Sequence, residues 1–259
     1  MKLTVLAENC AGPGLLAEHG LSYLIEIENN KILFDTGATD VYLRNATTLN
    51  IYIENISNVV LSHGHWDHGG GLQYLKDKKL IAHPGAFIKR YRKNDTSNIG
   101  LAFSKENLES KYYLTESKTP VNITRQIIFL GEIPRRNNFE SVSTSFIDEK
   151  GNDDFVMDDS ALAIISGHEL IVVTGCSHSG ICNIVEYARK VTGISRVKAI
   201  IGGFHLKEDD EQTRKTIQYL AKLRPQHLYP AHCTELPALQ AFYKAFNIKQ
   251  LKSGMTICI

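Results

Sequence analysis

Four side chains of metal-binding type stand close together in the segment NVVLSHGHWDHGGGL, residues 58–72: His63, His65, Asp67 and His68. If the chain is extended here, His63 and His65 project to the same side, because side chains alternate along a strand. Asp67 and His68 follow where the chain begins to coil, so they point elsewhere. Imidazole nitrogen and carboxylate oxygen suit zinc, iron or manganese, and a set without thiolate argues against a closed structural zinc site. The segment therefore predicts a site for two adjacent metal ions.

The elements around this segment are expected to hold it in place. Residues 58–62 form an apolar run typical of a buried strand, and the glycines at 69–71 lead into a helical pattern. Earlier, Asn29-Asn30 separates two strand-like runs, as in a hairpin. Further along the chain, predicted strands at 161–165, 169–174, 197–202 and 226–229 alternate with predicted helices at 180–191, 208–223 and 235–246. This order predicts a layered α/β fold with mixed sheets.

Three later histidines also follow predicted strands. His178 comes after LIVVTG and His232 after HLYPA, and strand ends at one edge of a sheet are where binding groups converge. Taken alone, a histidine in such a position is more often a hydrogen-bonded polar residue than a ligand, so both interpretations stay open for these two at this point. His205, in IIGGFHL, follows a glycine pair that would let a substrate approach the backbone, and both a site role and a structural role stay open for it. His83 ends the short strand LIAH and is a less favoured candidate of the same kind, since a histidine at a strand end is commonly structural. An incidental role is expected of His19, His168 and His227.

Composition limits the classes of protein that fit. The chain has 259 residues, a formal net charge of +1 and 43% hydrophobic residues, which is typical of an ordinary globular protein. The near-zero charge excludes a globally basic nucleic-acid binder. Five cysteines without a CxxC pair argue against a disulfide framework, and no apolar run approaches the roughly 20 residues of a membrane span. We expect a soluble, cytoplasmic protein without a membrane partner, of undetermined oligomeric state.

The HGHWDH segment resembles the HxHxDH motif of the metallo-β-lactamase superfamily. Residues 18–37, EHGLSYLIEIENNKILFDTG, are similar to that family's opening hairpin, with Asp35 in the position of its buried aspartate. TGCSHSG at 174–180 and YPAHCT at 229–234 resemble its later ligand motifs. The resemblance implies an αββα sandwich of two mixed sheets flanked by helices, with the metals at one edge. It also implies a single domain over 1–259, with an excursion or insertion at about 84–157.

The resemblance further implies a ligand set for two divalent ions, for which zinc is the first expectation and iron or manganese the alternatives. One metal would be held by His63, His65 and His178, and the second by Asp67, His68 and His232. Many members carry an aspartate that bridges the metals where this chain has Cys176. A thiolate could bind a metal there, Cys176 could instead be a small buried residue, and Asp158 or Asp159 could supply a carboxylate. The bridging ligand is therefore left open.

Several motifs together resemble one branch of the family, which includes archaeal enzymes that join a dihydropterin methyl diphosphate to a ribosyl-aminobenzene phosphate. They are GEIPRRNNFE at 131–140, DDSALAI at 158–164, GCSHSGICN at 175–183, GGFHL at 202–206 and PAHCT at 230–234. Within GEIPRRNNFE, Arg135 and Arg136 are candidate contacts for an anionic substrate. The basic run KRYRK at 89–93 is expected to be a solvated face.

Three functions follow from this resemblance. The first is a metal-dependent hydrolase that acts on a small phosphorylated or otherwise anionic substrate through a metal-bound hydroxide. Asp67 would orient this nucleophile or accept the proton that the bound water loses when the hydroxide forms. The alternative is a metal-dependent transferase that condenses a dihydropterin methyl diphosphate with an aromatic amine phosphate. The third, a di-iron redox or non-catalytic metal-binding protein, ranks lowest, because the oxygen-reducing relatives carry Glu where this chain has His65.

Overall fold

The computed structural model describes residues 1–259, which form fifteen strands and six α-helices. The strands are β1 (Lys2–Ala7), β2 (Ser22–Ile27), β3 (Asn30–Phe34), β4 (Asn58–Val60), β5 (Lys78–Ala82), β6 (Arg90–Arg92), β7 (Tyr112–Glu116), β8 (Val121–Asn122), β9 (Ile127–Phe129), β10 (Phe146–Asp148), β11 (Ala161–Ser166), β12 (Glu169–Thr174), β13 (Val197–Gly203), β14 (His227–Ala231) and β15 (Thr256–Cys258). The helices are α1 (Val41–Thr48), α2 (Trp66–Gly69), α3 (Lys105–Glu109), α4 (Ile181–Thr192), α5 (Glu211–Leu223) and α6 (Leu236–Phe246).

The chain divides into two compact units. The first unit comprises Met1–Ser117, Ser145–Asp154 and Leu251–Ile259, and the second comprises Lys118–Thr144 and Phe155–Gln250. The predicted excursion at 84–157 therefore does not form a separate compact unit, because its residues are divided between the two units.

The first unit is built on a seven-stranded sheet of order β15-β1-β2-β3-β4-β5-β7. β1, β2 and β3 pair antiparallel, whereas β3, β4, β5 and β7 run parallel. The hairpin turn between β2 and β3 lies one residue earlier than predicted, with Glu28 in the left-handed region at a φ of 51°. Because the carboxyl ends of parallel strands share one sheet edge, Asp35 after β3 and His63 after β4 emerge side by side.

The apolar core of the first unit holds this edge in place. Leu33 of β3, Val59 of β4 and Leu80 of β5 are fully buried and pack in one cluster with Leu72, which follows α2. A separate two-stranded ribbon pairs β6 with β10 in antiparallel register. Together the core and ribbon flank the loop that carries the predicted ligands.

The second unit is built on a six-stranded sheet of order β14-β13-β12-β11-β9-β8. β12, β13 and β14 are parallel neighbours, joined in sequence by α4 and then α5. Local chemistry sets the helix ends: the Asp210 carboxylate accepts the Thr213 backbone N–H at the start of α5, and Gly193 ends α4 with a φ of 69°. The three predicted helices and four predicted strands all occur within a few residues of their expected bounds.

The fold class is confirmed as mixed α/β, with two large mixed sheets and helices. Short strands of three residues, β6, β10 and β15, are not predicted by the sequence, because so few residues carry no periodic signal. None of the helices has both the length and the apolar character needed to cross a membrane.

Candidate metal centre

The loop after β4 places His63 and His65 against each other. The Nε2 atom of His63 is 3.1 Å from Nδ1 of His65, and the two rings meet edge to face with centroids 4.6 Å apart. Both side chains are buried. Gly64 between them is required by space, since a Cβ there would collide with the backbone carbonyl of Ala86. The predicted convergence of His63 and His65 is therefore present.

Asp67 and His68 form a second pair on the short helix α2. The Oδ2 atom of Asp67 lies 3.8 Å from Nε2 of His68, and both side chains are buried. His65 precedes the helix in extended conformation, with φ and ψ of −84° and 147°, so the chain changes direction between the two pairs. The two pairs are nevertheless close together, since the ring centroids of His63 and His68 are 4.2 Å apart. The expectation that His68 points away from His63 is therefore wrong, because the chain changes direction at α2 and brings His68 back toward His63.

Asp35 orients His68 from beneath. It is fully buried, sits in the left-handed region at a φ of 57°, and its Oδ2 is 2.7 Å from Nδ1 of His68. A carboxylate only accepts, so the proton of the imidazole is on Nδ1 and the lone pair is on Nε2. This is the arrangement by which outer carboxylates fix metal-ligating histidines. Asp35 is therefore buried against the HGHWDH segment, as the resemblance to the family implies.

The same carboxylate orients His63 through Ser62. The Ser62 hydroxyl lies 2.7 Å from Oδ2 of Asp35 and 2.9 Å from Nδ1 of His63, and the Ser62 backbone N–H donates to Oδ1 at 2.7 Å. Since the Ser62 hydroxyl donates its one hydrogen to the carboxylate, its oxygen accepts a hydrogen bond from the Nδ1–H group of His63. The lone pair of His63 is consequently on Nε2, the atom that faces His65.

His19 joins this cluster although the sequence shows no sign of it. Its Nε2 is 3.3 Å from Oδ2 of Asp67, and its ring centroid is 5.8 Å from that of Trp66. The His19 side chain is 54% exposed, whereas that of Asp67 is only 10% exposed. The interpretation of His19 as incidental is wrong, because a lone histidine in a loop carries no local pattern that indicates its partner.

In the second unit, the predicted site residues lie at the carboxyl ends of three parallel neighbours, β12, β13 and β14. Each end contains a non-glycine residue in the left-handed region: Ser177 at a φ of 61°, His205 at 50° and His232 at 51°. Such conformations are uncommon and concentrate at functional sites. His178 lies beside Ser177, and its ring centroid is 4.2 Å from that of His205.

Two cysteines belong to this group of strand ends. The Sγ atoms of Cys176 and Cys233 and a ring nitrogen of His205 all lie within 4.8 Å of one another. Burial raises the pKa of the Cys233 thiol, but hydrogen bonds with Cys176 and His205 outweigh burial and hold that pKa well below its usual value. Cys233 was not singled out from the sequence, because its partner Cys176 is far away along the chain.

Asp159 supports the loop that carries His178. It is buried, and its Oδ2 accepts the backbone N–H of Ser179 at 2.9 Å as well as the Ser179 hydroxyl. Burial raises the pKa of Asp159 to about 6, although the hydrogen bonds from Ser179 act in the opposite direction. Its other oxygen, Oδ1, makes no hydrogen bond. Asp158 is buried beside it.

The two arginines of the GEIPRRNNFE motif differ in their surroundings. The guanidinium of Arg135 donates to the carbonyls of Phe155 and Val156 at 2.6 and 3.2 Å and to the Ser141 hydroxyl at 2.8 Å, so it ties two loops together. Arg136 instead lines a cavity of about 560 Å³ in the second unit. Substrate contact stays a prediction for both.

Two other expectations concern the segment after β5. His83 has a structural contact, as expected, because its Nδ1 accepts the backbone N–H of Gly85 at the start of a 3₁₀ turn. The expectation of a solvated basic face at 89–93 is wrong for Arg90. The Arg90 side chain is fully buried, and its Nε lies 3.2 Å from Oδ2 of Asp154. Arg90 belongs to β6, and the pairing of this strand with β10 shields it from solvent.

The donor atoms fit divalent metal ions. Two buried imidazole nitrogens face each other at 3.1 Å, a third imidazole lies near a carboxylate, and hydrogen bonds to Asp35 and Ser62 leave Nε2 of His63 and His68 unprotonated. A metal needs deprotonated ligand atoms, and Nε2 of His63 and Nε2 of His68 are held in that state before any ion arrives.

A family model of the metallo-β-lactamase superfamily matches residues 16–190, and the chain belongs to this superfamily. It is 36% identical to a 7,8-dihydropterin-6-methyl-4-(β-D-ribofuranosyl)-aminobenzene-5'-phosphate synthase of Methanocaldococcus jannaschii, over 99% of this chain and 96% of that protein. An uncharacterised protein of the same archaeon is 38% identical over 92% of both chains. A crystal structure described as a metal-dependent hydrolase of the β-lactamase superfamily superposes with a TM-score of 0.89, at 29% identity, over 100% of this chain and 99% of that one.

Proposed function

We propose that the chain is a metal-dependent hydrolase that acts on a small phosphorylated or otherwise anionic substrate. The observation that carries this proposal is the paired arrangement of His63 with His65 and of Asp67 with His68, with proton positions set by Asp35. In hydrolysis the acceptor is water, so the reaction requires no residues beyond these. An anionic substrate suits a metal centre, because bound cations are the largest local charges in such a site.

We assign two divalent ions to the ligands implied by the family motifs, with zinc as the first candidate. His63, His65 and His178 would hold one ion, and Asp67, His68 and His232 the other. The assignment of His178 and His232 rests on the correspondence of TGCSHSG and YPAHCT with the family's later motifs. Their positions after the ends of β12 and β14 support it, since strand ends commonly carry binding groups.

The bound ions would polarise a phosphoryl or carbonyl oxygen and lower the pKa of water. The residues of the chain then have separate tasks. Asp67 orients the attacking water and can accept its proton. His19, whose Nε2 is 3.3 Å from the Asp67 carboxylate, supports Asp67 by donating a hydrogen bond. Asp35 and Ser62 keep the histidine ligands in one tautomer throughout.

A second reaction is favoured by one specific observation, the synthase that is 36% identical over 99% of this chain. In that case an aromatic amine phosphate replaces water as the acceptor, and a dihydropterin methyl diphosphate loses its diphosphate. Both reactions require an anion held at the same metals, and only the acceptor differs. The buried ligand cluster fits either reaction.

The test is to supply the purified, metal-loaded enzyme with a dihydropterin methyl diphosphate, with and without an aromatic amine phosphate, beside a panel of simple phosphoesters. Metal-dependent product without the amine supports hydrolysis, whereas diphosphate release only with the amine supports transfer and overturns hydrolysis. Loss of turnover in H63A, a variant that removes one ligand, ties the reaction to the metal centre. Equal turnover in H63A and the parent chain would contradict both proposals.

A further inference from the structure

The second unit contains a cluster of two thiols and an imidazole that neither proposed reaction uses. Cys176 follows β12, His205 follows β13 and Cys233 follows β14, so all three lie where parallel neighbours end. We propose that Cys176, His205 and Cys233 bind one soft divalent cation of the zinc type, in addition to the two ions assigned above.

The distances among the donor atoms suit one ion. The two sulfurs and a ring nitrogen of His205 are mutually within 4.8 Å. In a tetrahedral zinc site with Zn–S of about 2.3 Å and Zn–N of about 2.0 Å, such atoms are separated by about 3.5–3.8 Å. The donor atoms therefore have to approach one another by at most about 1.0–1.3 Å to bind one ion. Nδ1 of His205 is buried and makes no hydrogen bond, so this imidazole is incompletely paired without a ligand.

The local backbone is shaped to bring the thiols and the imidazole together. A Cβ on Gly203 would lie 2.5 Å from Sγ of Cys233 and 2.6 Å from the carbonyl oxygen of Gly175, so only glycine allows the thiol this close to the strand. The Cys233 thiol donates to the carbonyl of Cys176 at 3.4 Å. His205 keeps a left-handed φ of 50°, a conformation whose cost the surrounding structure must offset.

The chemistry of the set selects the kind of ion. Two thiolates and one imidazole are soft to borderline ligands that prefer Zn²⁺ or its substitute Co²⁺ over Mg²⁺ or Ca²⁺. The two thiols lose their protons on binding, so their charge balances that of the ion. Three protein ligands leave a fourth tetrahedral position for water or a solute, as in zinc sites that act in catalysis.

The test is titration of the metal-free full chain with Co²⁺, followed by its absorption spectrum. Thiolate ligands give an intense sulfur-to-cobalt charge-transfer band in the near ultraviolet, which imidazole and carboxylate ligands do not give. We expect this band in the parent chain, its loss or large reduction in C233S and H205A, and one fewer Co²⁺ per chain in both. C182S is the matched control, since Cys182 is a buried thiol of the same unit outside the cluster, and it should keep the band.

The outcomes separate this site from the proposed dinuclear centre. H63A should lose turnover and Co²⁺ bound by imidazole, yet retain the thiolate band. A band that C176S removes but C233S and H205A leave intact would overturn the proposal, because Cys176 would then serve a different ion. Absence of the band from the parent chain would overturn it as well. Failure of the proposed hydrolase or transferase activity would leave the band unaffected.

Discussion

Replacement of Asp35 by asparagine should weaken metal binding without changing a single ligand. In the native chain, Oδ2 of Asp35 accepts from both the Ser62 hydroxyl and Nδ1 of His68. An asparagine that keeps its carbonyl toward the Ser62 backbone N–H, which now donates to Oδ1, must place its NH₂ group where Oδ2 was. The Ser62 hydroxyl and Nδ1 of His68, which donate to Oδ2 in the native chain, then face the NH₂ group. Each of them has to become an acceptor.

The reversals transmit the change to the metal ligands. His68 would accept at Nδ1, which moves its proton to Nε2. The Ser62 hydroxyl would accept from Asn and donate to Nδ1 of His63, which moves the proton of His63 to its Nε2 as well. Both Nε2 atoms are the ones that must be unprotonated to bind an ion. D35N therefore opposes binding at each of the two proposed ions.

The expected magnitude follows from the loss of outer-shell support. Mutation of such partners typically lowers metal affinity by about 10–100-fold, equivalent to about 1.4–2.7 kcal/mol. Because the network is fully buried, the metal-free chain should also lose about 1–3 kcal/mol in its free energy of unfolding. The affinity change is the diagnostic one, since any damaged core would lower stability.

The assay is competition for Zn²⁺ between the folded protein and a chromogenic chelator, with ¹⁵N imidazole shifts to report the tautomers. D154N is the matched control, since Asp154 is also buried in the first unit and is paired with Arg90. D154N should lose stability with little change in zinc affinity. Unchanged affinity and unchanged tautomers in D35N would refute the assignment of Asp35 as the group that positions the ligands.

Three more predictions concern single residues. G64A should lower the free energy of unfolding by about 1–3 kcal/mol, because its Cβ would collide with the carbonyl of Ala86; a urea midpoint equal to that of the parent would contradict the close packing. R90M should lower the free energy of unfolding by about 3–5 kcal/mol, because the Asp154 carboxylate then stays buried without Arg90. The double variant R90M/D154N should recover part of this loss in urea unfolding, and no recovery would argue against the pair. Burial raises the pKa of Asp159 to about 6 from 3.8, so the folded metal-free chain binds this proton more tightly than the unfolded chain. Its stability should fall by about 3 kcal/mol in total as the pH rises from below the unfolded pKa to above the folded one, and D159N, compared by urea unfolding at each pH, should show a flatter dependence; identical slopes would refute the shift.

The site could be predicted from the sequence where its geometry is local. The approach of His63 to His65 depends on the alternation along an extended strand, a short-range property, whereas the approach of His68 to His63 depends on the turn into α2 and was not predicted. The strand and helix patterns of residues 161–246 are strong enough to predict the alternating elements that place His178, His205 and His232 after strand ends, whereas the parallel pairing of those strands is a finding of the structure. Resemblance to the superfamily then supplied Asp35, which spacing by itself did not indicate.

Tertiary structure decided the contacts between residues that are distant along the chain. His19 approaches Asp67, Arg90 is buried against Asp154, and Cys233 approaches Cys176, although no pattern in the intervening sequence links any of these pairs. The proton positions on His63 and His68 also depend on a carboxylate that arrives from another strand. Periodicity reports which face of an element is buried, but not which neighbour covers it. The order of the strands in the sheet and the paths of the loops determine that neighbour, and the chemistry of the metal centre depends on it.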